Sequence, residues 1–431
     1  MGWTPKRAIN EFRNLARQAF TKKLRLRMPV IKYIAEYFCT FQYESIGIES
    51  ALQSAFKPHA YLFGQPREIS THDAGDDVKV GVVSCLKGRD QPCLIANYNR
   101  DPGSNNADCL QREDHQRNDF KIWQAARATS AAQTYFEPYR HRPTSKVYVD
   151  GAIVRNNPVR VALEEEKRIW GPDARPDIVV SIGSGICIDE RGRIQPHRRG
   201  GGGWKMLLPA KVRKMVNTGI DMVASTLDCQ REWEEVVKLH PQLEKRFHRL
   251  DVGILDNKLP ALDEVDKMEE LEELSKAYLA SDSDIGRRDF NASSGSARTH
   301  LQTVARQLLA SLFYFSDTAT LQENSDYTKR VVGVIHCRLP LSRGAQELVR
   351  CVRFRLRECK IPRSRNNGPE ESVARDIVFI PGPDRRRFNR STLSASVYLD
   401  INPGPWVRTI EACFPTSRDS TWPAWATISG F

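Results

Sequence analysis

The sequence predicts an α/β fold with a mostly parallel central sheet covered by helices on both faces. Three observations predict it. Short apolar strands alternate with helical stretches between residues 78 and 185. The strand Val147-Tyr148-Val149 runs straight into Asp150 and Gly151, a carboxylate at a strand end where open α/β sheets place their chemistry. The chain has 431 residues, enough for a large core and more than one domain.

Taken in order, the chain opens on a capped helix. Thr4 can cap it with Pro5 at its first position. Ala8, Ile9, Phe12, Leu15, Ala16, Ala19 and Phe20 form one apolar stripe, and Lys6, Arg7, Arg13 and Arg17 lie mostly off it. Such a segment has the pattern of a targeting or membrane-surface helix, weighed against an ordinary packed helix. Pro29 opens a second helix to about Phe41, and Glu49 to Phe56 reads as a third. Strands follow at Val78 to Ser84 and Cys93 to Tyr98, then a polar loop over 99–118 and an alanine-rich helix from Lys121 to Ala132. After the 147–150 strand come a helix from Pro158 to Trp170 and the strand Ile178 to Ile182, ending at Gly183-Ser184-Gly185. Residues 189–204 read as a glycine- and arginine-rich surface loop, since no Lys-Ser/Thr pair completes a phosphate loop. Helical stretches are expected over 209–239, 263–280 and Leu301 to Phe315, with a polar insertion from Ser281 to Ala297. From Val331 the pattern changes to strands at Val331–Leu339, Val352–Leu356, Ile377–Ile380 and Ser396–Ile401. The expected organisation is an α/β core over 1–190, a helical extension over 191–320 and a small β-rich domain over 331–431.

Charge and cysteine usage narrow the function classes. Lys and Arg total 65 against 53 Asp and Glu, a net charge of +12. That balance suits anionic surfaces. The ten cysteines include no Cys-x-x-Cys and the nine histidines no His-Glu-x-x-His, so neither a disulfide framework nor a zinc site is expected, and a reducing compartment is. Mean hydropathy is −0.50, and no apolar run approaches the ~20 residues of a membrane span.

Asp150-Gly151-Ala152 with Asn156-Asn157-Pro158 resembles the Asp-Gly-Gly/Ala signature of patatin-like phospholipases. The resemblance extends both ways. Lys121 to Ala132 resembles that family's Trp-x-Ala-Ala-Arg-Ala-Thr-Ser-Ala-Ala helix, followed by Tyr135-Phe136-Glu137-Pro138. Ile178 to Gly185 resembles its Ile-Val-Val-Ser-Ile-Gly-Thr-Gly strand and turn, while Asp228 to Trp233 and Ala310 to Phe315 resemble later parts of the fungal members. The ordered series covers roughly residues 1–320.

The resemblance implies a three-layer sandwich and hydrolysis of lipid acyl esters by a Ser-Asp dyad, with no histidine, cofactor or metal. In such a dyad Asp150 would take the serine proton and then serve the leaving group or water. Its pKa must be raised from ~3.9 by burial to act at neutral pH. Gly151, Ala152, Asn156 and Asn157 would support it. The implied partners are lipid acyl esters at an anionic membrane surface, in a cytoplasmic and peripheral setting. No nucleic-acid motif is seen. The family's serine sits in a Gly-x-Ser-x-Gly elbow after a Gly-rich oxyanion loop. The chain contains neither. Met1 to Pro5 resembles the segment just after the helix that the elbow opens, so the elbow and first strands are expected before Met1. The 431 residues alone are then expected to be inactive, and the alternative is a non-catalytic lipid- or partner-binding relative.

Substitute nucleophiles are weak. Ser184 matches a packing turn, Thr129 and Ser130 read as packed or locally bonded, His141 as surface, and Cys187 as a buried structural thiol.

Overall fold

Connection lengths decide the topology. The computed structural model describes residues 3–20, 41, 43–62, 78–88, 92–98, 118–132, 135–189, 229–255, 260–280, 297–323, 329–339, 342–360, 372–379, 394–401, 406–413 and 426–428. They fall into two compact units. The first takes in Met1–Arg175, Gly183–Gln242 and Asp251–Lys276, and the second Pro176–Ile182, Leu243–Leu250 and Ala277–Phe431.

The first unit opens on α1 (Pro5–Ala19), where the Thr4 hydroxyl accepts from the Arg7 amide. It packs on α2 (Ser45–Phe56) through Ala16 and Ala19, placing Tyr43, Ile48, Leu52 and Phe136 in one cluster. Arg13 and Arg17 of α1 pair with Glu272 and Glu269 of the acidic helix Met268–Ala280. The N-terminal half of the stripe stays open, with Ile9 48% and Phe12 64% exposed. The helix expected over 29–41, the 189–204 loop beyond Asp189 and the 281–296 insertion lie outside the described residues.

Strands β1 (Gly81–Leu86), β2 (Pro92–Ala96), β3 (Tyr139–Arg140) and β4 (Val147–Asp150) form one sheet in the order β2-β1-β4-β3. Every pairing in it is antiparallel. The sequence reading expects a mostly parallel sheet here, and the difference has a physical reason. Only residues 87–91 join β1 to β2 and only 141–146 join β3 to β4. Parallel neighbours need a crossover of a dozen or more residues, so these pairs must be hairpins. Parallel pairing among the described residues is confined to two separate pairs. Strand β5 (Val179–Ile182) pairs with β7 (Phe247–Leu250), and β6 (Ile186–Ile188) pairs with β8 (Gly253–Leu255).

The sheet does carry helices on both faces. Cys93 and Ile95 of β2 pack with Ala125 and Ala128 of α3 (Ile122–Thr129), while Leu94 and Ala96 point the other way onto Val161. Val161 belongs to α5 (Val159–Trp170), which follows the single turn α4 (Ala152–Arg155). The period-2 alternation of β2 thus serves two helical layers. Alanines at 125 and 128 let α3 lie close to the strands.

Arg127 fastens the outer side of α3. It is 1% exposed, and a buried guanidinium loses several kcal/mol of hydration. Glu49 at 3.4 Å, the Ser45 hydroxyl at 3.1 Å and the Glu137 carbonyl at 2.7 Å offset that loss, and Phe136 and Tyr139 flank the cation. Desolvation lowers its pKa and Glu49 opposes the shift.

The second unit contains a β-sandwich. One sheet runs β13 (Val378–Phe379), β14 (Ser394–Ile401), β10 (Lys329–Cys337), β9 (Phe313–Glu323). The other runs β12 (Ser372–Asp376), β11 (Arg353–Lys360), β15 (Trp406–Cys413), β16 (Ala426–Thr427). Phe315, Ile335, Val397 and Leu399 of the first sheet meet Phe354, Leu356, Ile410 and Ala412 of the second in one core. The expected helix from Leu301 to Phe315 is therefore two elements. A helix ends at Ala310, and Phe313 starts a strand in which buried Phe313 and Phe315 alternate with Tyr314 and Ser316. Aromatic residues at period 2 outweigh the helical apolar count there.

His141 is also corrected. The sequence places it on the surface, because the family that the chain resembles uses no histidine. It is 0% exposed, stacked on Phe120 at 3.9 Å, with Nδ1 3.0 Å from the Thr144 hydroxyl. Its backbone amide bonds the Lys146 carbonyl, so the hairpin turns the ring inward. Burial lowers its pKa to about 4. The native state therefore favours neutral imidazole. The stabilisation is complete above the unfolded value of ~6.5 and is lost as pH falls from there toward the folded value. Relative to a His141→Gln variant, the wild type is expected to lose up to about 1.4 kcal/mol per pH unit over that window in urea titrations. Parallel pH profiles for the two proteins would exclude a buried neutral His141.

Candidate functional site

Asp150 is the last residue of β4 and stands beside the end of α3. Its backbone amide donates to the Ala131 carbonyl at 3.1 Å, which ties the strand end to the helix end. The Ala152 amide donates to Oδ1 at 2.7 Å and fixes the carboxylate. Among the described residues Oδ2 accepts no hydrogen bond and no cation pairs with the group. Burial raises its pKa above the ordinary carboxylate value, and the Ala152 amide only partly opposes this. The result is a carboxylate more basic than usual with one oxygen open, which can accept a proton from a hydroxyl.

Gly151 makes this corner possible. Its φ of −70° and ψ of −19° suit any residue, so backbone freedom is not the reason for glycine. The reason is space. A Cβ here would run into the carbonyl of Val83 and approach the amide of Ser84. The Thr129 hydroxyl donates to that same Val83 carbonyl at 2.5 Å, a bond across to β1 where packing or a local bond was expected.

Ser84 was missed in the sequence and is the residue directly opposite Asp150 in the β1–β4 ladder. Opposed residues share a face, so a serine hydroxyl lies near the base. It is not a free nucleophile. Ser84 is fully buried and its hydroxyl donates to the Val149 carbonyl at 2.8 Å, with the Ala128 carbonyl 3.3 Å away. No hydrogen bond joins it to Asp150. Its job is to clip α3 to β4 beneath the site. Only pairing register could have revealed it, and register is invisible in an unpaired sequence.

Asn157 is buried. Its Oδ1 accepts from the Val159 amide at 3.2 Å, capping α5, and its Nδ2 donates to the Cys229 carbonyl at 3.2 Å. Asn156 is exposed, and Ala152 contributes its amide alone to Asp150. The structure thus brings Asp150, Gly151 and Ala152 into one corner and uses Asn157 to anchor the helix behind them. Ser184 is exposed, and its flanking glycines receive the Asp251 carboxylate. Gly185, at φ +113°, donates its amide to Oδ1 at 2.8 Å, and a Cβ on Gly183 would strike the carboxylate. Cys187 is buried at 2% exposure. No group of three or more His, Cys, Asp or Glu among the described residues could hold a metal ion.

This strand–aspartate–glycine corner, braced by an alanine-rich helix, lies within the stretch 49–163 that matches the family model described as patatin-like phospholipase. Residues 49–163 are similar to the patatin-like phospholipase domain. Among curated proteins the chain is 35% identical over 135 residues to phospholipase A I of Arabidopsis thaliana, covering 30% of this chain and 9% of that protein. It is 36% identical over 113 residues to calcium-independent phospholipase A2-gamma of Mus musculus, covering 25% of this chain and 13% of that protein. The human protein of that name is 34% identical over 113 residues. The chain therefore spans only about a tenth of the length of the relatives it matches. No solved structure matches it. Among the described residues no helix is long and apolar enough to cross a membrane.

Two stability measurements test the site's construction. Gly151→Ala is expected to destabilise by about 2 kcal/mol or more, although alanine is normally the better helix former, because the added methyl has no space. A neutral or raised denaturation midpoint would exclude the close contact with Val83. Asp150→Asn is expected to do the reverse. A raised carboxyl pKa means stability falls as pH rises from ~3.8 through the folded value, so the charge destabilises the native state at neutral pH. The asparagine variant should melt higher at pH 7, with the gain shrinking as pH is lowered. Lower stability at pH 7 would count against desolvation as the dominant effect.

Proposed function

We propose that this chain carries the acid–base half of a patatin-like lipid acyl hydrolase, with Asp150 as the proton acceptor of a Ser-Asp dyad. The observation that supports it most is the desolvated Asp150 carboxylate, to which the described residues offer no cation and no bond at Oδ2, inside a phospholipase-like segment. In the proposed reaction a serine oxygen attacks the acyl carbonyl while Asp150 takes its proton. The protonated Asp150 then gives that proton to the leaving alkoxide. In the second stage Asp150 takes a proton from water as the water attacks the acyl-enzyme, then returns it to the serine. Burial favours the neutral acid form of Asp150, which suits the first proton transfer. Gly151 keeps the carboxylate at the corner, and Asn157 anchors the helix behind it. The substrate class is lipid acyl esters, presented at an anionic surface that the net charge of +12 favours.

The chain contains no Gly-x-Ser-x-Gly. We therefore expect the 431-residue chain alone to turn over no p-nitrophenyl ester, and hydrolysis to require that elbow from added polypeptide. In a chimera supplied with a Gly-x-Ser-x-Gly elbow region, Asp150→Asn is expected to lower kcat by roughly 10²–10⁴-fold. Turnover by the chain alone that Asp150→Ala abolishes would overturn the first statement. An active chimera indifferent to Asp150→Asn would overturn the second. The missing elbow also favours a second reading, a non-catalytic relative that binds lipid or a protein partner.

A further inference from the structure

We propose that the acidic helix Met268–Ala280 is a strap that occupies two arginines of α1 and keeps α1 off an anionic lipid surface, which α1 binds once the strap is released. The N-terminal half of the α1 stripe is uncovered, with Ile9 and Phe12 48% and 64% exposed. At ~100° per residue, Lys6, Arg13 and Arg17 fall together along one edge of that stripe. Apolar side chains edged by basic ones are the pattern of a helix that lies in the headgroup layer. Glu11, the acidic residue of α1, sits on the far side and pairs with Arg7 at 3.7 Å, so it does not neutralise the basic edge.

The strap does. Glu272 pairs with Arg13, and Glu269 pairs with Arg17 at 3.7 Å. Arg13 and Arg17 are one turn apart, as are Glu269 and Glu272, so the two helices run antiparallel with matched charges. All four residues belong to the first unit.

This hold is easily exchanged. No residue of the strap is buried, and its Leu274 and Leu279 are 38% and 39% exposed, so release uncovers little apolar surface. The Glu269 and Arg17 side chains are 77% and 57% exposed, and pairs that open to water contribute little each. Lys276 also pairs with Glu272, at 2.9 Å, so this carboxylate keeps a partner when Arg13 leaves. Glu269 and Glu270 in the first turn favour the helix by itself. The Tyr43 hydroxyl donates to the Asp263 carboxylate at 2.5 Å, which anchors the base of the strap. An anionic bilayer offers Arg13 and Arg17 equivalent partners and also buries Ile9 and Phe12, which the strap leaves uncovered. A nucleic acid would meet the arginines and leave those two side chains in water. The inference rests on the lipid-surface part of the proposed function but needs no catalysis by Asp150, so binding and turnover fail separately.

The test is co-sedimentation of the full chain with phosphatidylcholine vesicles, with and without phosphatidylserine. Glu269→Gln with Glu272→Gln should raise the affinity for the anionic vesicles by about fivefold, the size that two exposed ion pairs support. Glu264→Gln with Glu273→Gln removes the same charge from carboxylates that bond within their own segment, and should change it by under about twofold. Phe12→Ser, added to the first pair, should remove the gain. Should the first pair melt early, Glu269→Gln alone replaces it, with a gain of about twofold. An equal gain from both pairs, no gain from the first, the same gain on phosphatidylcholine alone, or a gain that survives Phe12→Ser would each overturn the proposal.

Discussion

The contact of Gly151 with the backbone of Val83 and Ser84 is the constraint from which the rest of the site follows. It brings the end of β4 against β1 with no side chain between. Thr129 and Ser84 then reach across with hydroxyls, and the Ala131 carbonyl receives the Asp150 amide. Three elements meet on one small area of β1, and the carboxylate is held where they meet. The alanines of α3 serve the same end, since larger residues would push the helix away from the strands. Arg127 holds the far side of α3 against α2, so the helix is fixed from both directions.

That arrangement has an energetic consequence. A buried carboxylate to which the described residues offer no counter-ion destabilises the native state, yet the same desolvation raises its basicity. The corner accepts a local cost and distributes the support over backbone hydrogen bonds, which carry no compensating charge. A nearby arginine would have stabilised the fold and weakened the base. Arg127, the buried cation of α3, is instead turned toward Glu49, Ser45 and the Glu137 carbonyl.

Much of the first unit was legible in the sequence because its signals are local. Thr4 and Pro5 mark the start of α1, the alanine-rich run marks α3, and the 147–150 strand is found with the bounds read from its residues. Sheet direction was not legible from alternation alone. The five-residue spacing between β1 and β2 carries that information, and reading it as a hairpin would have corrected the parallel expectation. Ser84 and the inward turn of His141 depend on which strands pair and in what register, so no local pattern announces them. In the second unit, Phe313 and Phe315 were absorbed into a helical count because an apolar run fits both periods until its alternation is examined. The motif around Asp150 was found by its residue types, but the role of Gly151 as a close-packing contact needed the structure.

The alternation of β11 ties two properties to one reading frame. Phe354 and Leu356, which fill the sandwich core, and Arg353, Arg355 and Arg357, on the opposite face, differ only in being even or odd along the strand. A one-residue insertion or deletion inside 353–357 would exchange them. Arginines would enter the core and Phe354 and Leu356 would face water. Point changes on either face are far milder, because each alters one property and leaves the other in place. Sequence drift along β11 can therefore adjust the charged face or the core separately, whereas any change of length within it must be absorbed in the flanking segments, before Arg353 or after Lys360.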